Sequence, residues 1–191
     1  PKNTWFFLCS REPQRLLATL RSRCFSWHLS PPHESQSLGW LQKQTPAGAD
    51  ACTTALRLSS GAPAAALALL DDKPWAQRQL LCSQLSSALQ QDLLSLLPVL
   101  NHDDAAARIG WLCALLIDAM KWQQGGGQFI ANVDQPTLIA QLAQQLPSSA
   151  LDSSLRSWMT CRDRLLHVVA VNRELLLTEQ LLSWEQVFKP I

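Results

Sequence analysis

Residues 6–24 read FFLCSREPQRLLATLRSRC, and the reading of this stretch decides how the rest of the chain is divided. Its opening, Trp5-Phe6-Phe7-Leu8-Cys9, is a short continuous run rich in aromatics, the pattern of a strand buried on both faces of a parallel sheet. Glu12-Pro13 then starts a helix, with proline tolerated in the first turn and Leu16, Leu17 and Leu20 as its apolar stripe. After Ser22-Arg23-Cys24, Phe25-Ser26-Trp27-His28-Leu29 alternates apolar and polar residues like a second strand, and Ser30-Pro31-Pro32 breaks it. Residues 1–30 are thus expected to form strand, helix and strand, the end of an α/β domain whose earlier part is absent. The start Pro1-Lys2-Asn3-Thr4 is neither an initiator methionine nor a signal peptide, in keeping with a C-terminal piece of a longer protein.

Downstream of Pro32 only helical periods remain, separated by Gly, Pro and short polar clusters. Three short helices are expected at 33–44, 50–59 and 63–70, divided by Thr45-Pro46-Ala47-Gly48 and Ser59-Ser60-Gly61. Asp71-Asp72-Lys73-Pro74 reads as a linker, after which helices lengthen: 75–89 with Leu80, Leu81 and Leu85, then 92–100. Asn101 is placed to cap a helix running to about residue 124, which Gly125-Gly126-Gly127 stops. Asp134 caps the next, and Ser149-x-x-Asp152 matches a capping box for a long stripe from Leu151 to Val169. Asn172 marks a break before a last helix over 174–188. The pattern is a mainly helical chain ending in a bundle of five or six members without internal repeat.

Composition narrows the function classes. With 47% hydrophobic residues the 191-residue chain can bury one sizeable core or two smaller ones. Sixteen Lys+Arg against fifteen Asp+Glu leave it nearly neutral, so bulk charge does not predict adhesion to a phosphate backbone, and direct DNA contact has no support from charge. The cysteines, Cys9, Cys24, Cys52, Cys82, Cys113 and Cys161, form no CxxC pair and lie at no metal-ligand interval from a histidine, which favours buried free thiols in a reducing cytosol and no metal site. Gly125-Gly126-Gly127-Gln128 lacks the GK[ST] of a phosphate loop and follows a helix rather than opening one. His28, His33, His102 and His167 have no paired spacing or nucleophile elbow beside them. Catalysis by this chain alone is not indicated.

What remains is the arginine group Arg15, Arg21 and Arg23. A buried strand, Arg11-Glu12-Pro13-Gln14-Arg15-Leu16-Leu17, then Ser22-Arg23-Cys24 and another short strand resembles the sensor-1 strand and SRC motif of AAA+ clamp-loader subunits. The resemblance to the bacterial delta-prime family continues through SGAPAAALAL (residues 60–69), NVDQPTLIAQLA (132–143) and NRELLLTEQLL (172–182). It implies the end of an AAA+ ATPase-like domain at 1–30, a small helical lid domain at 31–72 and a helical collar domain for oligomerisation at 73–191. It also implies a subunit of the DNA polymerase III holoenzyme in the bacterial cytoplasm. That subunit joins gamma/tau ATPase subunits and a delta subunit in a hetero-pentamer that loads the sliding clamp on primer-template DNA.

By its match to the SRC motif, Arg23 is assigned as an arginine finger acting in trans, with Ser22 and Cys24 positioning it. A planar guanidinium pairs bidentately with the γ-phosphate oxygens of a neighbour's ATP, where lysine offers only a point charge. Two departures set this chain apart from hydrolysing relatives. Their lid arginine, in Gly-x-x-Arg-x-Ala-Leu, is replaced in Gly61-Ala62-Pro63-Ala64-Ala65-Ala66-Leu67 by Ala64, and Cys9-Ser10 stand in place of sensor threonines. The resemblance therefore implies no ATP held by this chain and no hydrolysis. The alternatives are a fragment of a hydrolysing gamma/tau-type ATPase, against which Ala64 argues, and an unrelated helical adaptor.

Overall fold

The structure, a computed structural model, describes residues 2–10 and 12–188 of the chain. It divides into two compact units, one ending at Pro31 and one beginning at Pro32. In the first, neither expected strand forms: the described residues contain no strand, and Trp5, Phe6, Phe7, Phe25 and Trp27 are all exposed. A strand is held by hydrogen bonds to a neighbouring strand, and the two aromatic runs pair neither with each other nor with another described segment. The expected helix is also interrupted. A 3₁₀ turn at Pro13–Arg15 leads into extended backbone at Leu16 and Leu17 and a single-turn helix α1 (Ala18–Arg21). Leu17 and Leu20 stay exposed, so no buried face stabilises a helix too short to persist on propensity alone. Arg11, part of the motif quoted above, lies outside the described residues.

The second unit is helical throughout, as the periodicity predicts. Helices α2 (Glu34–Gln44), α3 (Ala49–Leu58) and α4 (Pro63–Leu69) pack around a small core of Leu41, Cys52, Ala55, Leu56, Ala66 and Leu70. Helix α3 ends in a Schellman arrangement, Gly61 N–H donating to the Leu56 carbonyl (2.9 Å) and Ser60 N–H to that of Arg57 (3.1 Å), which puts Ser60 at φ +52°.

The rest forms the larger core. Helix α5 (Asp72–Ala88) is followed by a 3₁₀ turn at Leu93–Leu96, α6 (Leu97–Leu100) and α7 (Ala105–Gln123). Then come α8 (Pro136–Gln145), α9 (Ser148–His167) and α10 (Arg173–Phe188). Helix α7 is central. Ile109, Leu112, Leu115, Leu116 and Ala119 are fully buried on it because α8 and α9 both pack against it. Trp158 of α9 meets Trp184 of α10 edge to face at 5.4 Å, and Phe188 stacks on Trp184 in the same manner.

Several local expectations are corrected. Asp71-Asp72-Lys73-Pro74 is not a linker: α5 begins at Asp72, Pro74 falls in its first turn where no N–H is needed, and Asp72 meets the positive end of the dipole. The consequence is that α5 serves both cores, Trp75 packing on the smaller one and Leu81 and Leu85 entering the larger. Leu80 is on the outer face instead. Asn101 ends α6 rather than starting α7, and its side-chain oxygen accepts from Arg173 Nε (2.8 Å). No capping box forms at Ser149, since α9 already begins at Ser148 after Pro147; Asp152 pairs with Arg156. Helix α9 stops at His167, which leaves Val169 exposed, and Asn172 accepts from Leu175 N–H at the start of α10.

Candidate functional site

Arg23 lies in the turn that closes α1, its backbone N–H donating to the Leu20 carbonyl (3.1 Å). Ser22 braces the same turn, its N–H on the Ala18 carbonyl (3.0 Å) and its hydroxyl on the Thr19 carbonyl (3.3 Å), while Cys24 is exposed just beyond. The three gathered arginines differ in what they touch. Arg15 pairs with Glu12 (2.8 Å) and Arg21 donates to the Gln14 side chain (3.3 Å), whereas the Arg23 guanidinium has no partner among the described residues and points into solvent. Exposure alone does not single it out, because every described residue of 2–31 is exposed. Ala64 sits exposed in the first turn of α4, where a methyl group offers a phosphate nothing.

A second constellation went unseen in the sequence. Asp134, expected to cap α8, leaves that position to Gln135 and turns its carboxylate inward. There it accepts two hydrogen bonds from the fully buried Arg78, at 2.7 and 2.9 Å, one from Thr54 (3.0 Å) and one from Gln79 (3.0 Å). Arg78 also donates to the Asn132 side chain (2.7 Å) and lies over the Trp75 ring at 4.8 Å. Asn132 passes the network on to Asp118, donating through its side chain (2.7 Å) and its backbone (2.8 Å). Lys121 completes it, donating to Asp118 (3.1 Å) and to the Phe129 carbonyl (2.9 Å). Two cations thus balance two carboxylates. Burial by itself would push the Asp134 carboxyl up, but the hydrogen bonds and charge of Arg78, with Thr54 and Gln135, bring it below the ordinary aspartate value.

These residues were legible only as anomalies. Arg78 shares a helix face with Leu81 and Leu85, and Asp118 sits alone among the buried Leu112, Leu115, Leu116 and Ala119. A lone arginine and a lone aspartate on apolar faces are the signal that they partner at long range. The bonds of Asp134 to Arg78 and Thr54 span 56 and 80 positions, which no local spacing can show, whereas Asp118 and Lys121 form an i,i+3 pair.

Beside this network, residues of α2, α3 and the 128–131 loop line a cleft of about 410 Å³. Its two cations are already engaged, Arg57 with Glu34 (2.7 Å) and the Ile130 carbonyl (2.6 Å), and Lys121 as above. The cysteines divide by place: Cys52, Cys82, Cys113 and Cys161 are buried, but Cys9 and Cys24, expected inside, are exposed with the segment that carries them. Burial pushes the thiols of Cys82, Cys113 and Cys161 up to about 11. No group of three His, Cys, Asp or Glu side chains able to hold a metal occurs among the described residues, and none of their helices is long and apolar enough to cross a membrane.

Comparison with known proteins agrees with the helical architecture. The family described as "DNA polymerase III subunit delta', AAA+ ATPase lid domain" matches residues 32–71, and "DNA polymerase III, delta subunit, C terminal" matches residues 72–186. The chain is 52% identical to the DNA polymerase III subunit delta' of Yersinia pestis, over 97% of this chain and 56% of that protein. It is 46% identical to that of Escherichia coli K12, over 100% of this chain and 57% of that protein. The relative from Buchnera aphidicola of Acyrthosiphon pisum is 36% identical, over 98% and 58%. The chain therefore spans a little over half the length of these relatives. Two family domains laid end to end over the helical unit, with relatives bearing one name along the whole chain, place it in the delta-prime family of DNA polymerase III subunits.

Proposed function

We propose that this chain serves a bacterial clamp loader as a subunit that does not hydrolyse ATP and lends Arg23 to an ATP site on a neighbouring subunit. Residues 1–30 contribute the end of the AAA+ ATPase-like domain, 31–72 the lid and 73–191 the collar through which gamma/tau and delta subunits assemble around it. The assembled hetero-pentamer loads the sliding clamp on primed DNA in the cytoplasm. The observation that carries the proposal is the Ser22-Arg23-Cys24 turn: the serine braces the backbone, and the arginine, unlike Arg15 and Arg21, has no partner among the described residues. A planar guanidinium left uncommitted is suited to bidentate pairing with phosphate oxygens supplied from outside. Ala64 supports the non-hydrolysing half of the reading, since the lid helix presents no cation where hydrolysing relatives carry arginine.

The test is Arg23→Ala in the full-length protein within the reconstituted loader. DNA-stimulated ATP hydrolysis is expected to fall by about 10³-fold or more at the site Arg23 serves, the scale of other trans arginines. Complex assembly, followed by gel filtration, should be unchanged. Undiminished hydrolysis in an intact complex overturns the assignment.

A further inference from the structure

The lid and the larger bundle are joined at two places, and the chemistry of the second goes beyond simple packing. The first is covalent: only Leu70 and Asp71 separate α4 from α5, whose Trp75 lies on the lid core. The second is side-chain chemistry. Thr54 and Arg57, one turn apart on α3, reach the 130–134 loop, Thr54 donating to the Asp134 carboxylate (3.0 Å) and Arg57 to the Ile130 carbonyl (2.6 Å). Asp134 is in turn gripped from α5 by Arg78 and Gln79. One carboxylate thus receives hydrogen bonds from the lid and from the first helix of the bundle together.

We infer that Asp134, held between Thr54 and Arg78, is an interdomain clasp that fixes the angle of the lid on the bundle, independently of any role of Arg23. The reason lies in what a buried ion pair does well. Arg78 is fully buried, and its Nε has no hydrogen-bond partner, so the pair is not the most stabilising filling for that space. Apolar residues of similar volume commonly stabilise such sites as well or better. A guanidinium and a carboxylate, however, meet well in few orientations, whereas apolar surfaces tolerate sliding. The six-residue lid core holds α2–α4 to one another; the directional bonds to Asp134 and Ile130 set where that module sits.

This separates orientation from stability, and the two can be read independently. Spin labels placed by Ala64→Cys on α4 and Ser153→Cys on α9, both exposed sites, report the lid-to-bundle distance in the 191-residue chain. Cys9→Ser and Cys24→Ser remove the exposed native thiols, and the four buried cysteines stay unlabelled. The parent should give a single narrow distance distribution by pulsed dipolar spectroscopy. In the combined variant Arg78→Met, Asp134→Leu and Thr54→Val, that narrow peak should be lost to a broad one while the thermal midpoint stays close to the parent's. A folded variant with an unchanged narrow peak overturns the clasp. Should this variant fail to fold, Thr54→Val with Arg57→Met removes the lid-to-loop bonds, and with them the Arg57–Glu34 pair on the lid surface, and leaves the Arg78–Asp134 pair intact. A broadened peak there supports the inference, and an unchanged one rejects it.

Discussion

Two arginines of this chain stand at opposite ends of what a guanidinium can do. Arg23 rides on a turn in a segment whose described residues are all exposed, and it touches no partner among them. Arg78 is sealed beneath Trp75 with Asp134 and Asn132 bonded to it. An arginine left solvated keeps its hydrogen-bonding capacity for a group brought from outside. A buried one commits that capacity to its own fold, and its partners are left unpaired if it alone is removed. Removing the first should cost its unit nothing, whereas removing the second alone leaves a buried carboxylate unpaired, so the contrast can be tested in a single unfolding series.

The largest effect is expected at Arg78. Arg78→Ala strands the Asp134 carboxylate in a poorly solvated site and should destabilise the helical unit by about 3–5 kcal/mol in urea titration. A loss below about 1 kcal/mol would mean that water reaches the carboxylate and that the pair is less dry than its geometry implies. Next comes acid. Because the folded state holds the Asp134 carboxyl below its ordinary value of 3.8, its contribution is fully present above that value and is lost as pH falls through the lower folded one. Asp134→Asn should therefore flatten the acid limb of a stability-against-pH curve below about pH 4, and an unaltered limb would show that the pair does not titrate with folding. The smallest effect belongs to Arg23. Arg23→Ala should change unfolding free energy by less than about 0.5 kcal/mol, as for an exposed residue without contacts, which keeps any loss of loader activity interpretable as chemistry.

The helices from residue 34 onward were legible because leucine periodicity and Gly/Pro punctuation act locally. Gly125 shows why, since it adopts the φ of +74° that ends α7, and Gly126 N–H closes the turn on the Lys121 carbonyl (2.8 Å). Where the reading failed, a distant partner had decided the outcome. Asp134 falls one residue before the cap of α8, Gln135, and its carboxylate turns to Arg78 instead, a charge-assisted pair stronger than a single cap bond. The aromatic runs at 5–9 and 25–29 have strand composition, yet strand formation depends on neighbours, and none among the described residues pairs with them. Of the candidate site, the Ser22-Arg23-Cys24 motif could be read because it is contiguous. The polar network could not, because its members are scattered from Thr54 to Asp134 and the fold alone gathers them.

Helix α5 carries a last consequence. The family domains meet between residues 71 and 72, a seam that suggests interchangeable parts. Yet Trp75, three residues past that seam, packs on the core belonging to the residues before it. Inheritance and mechanics therefore divide this protein at different points. Grafting the three-helix module from a relative would have to bring the opening turn of the following helix along, or leave the transplanted core missing its aromatic cover.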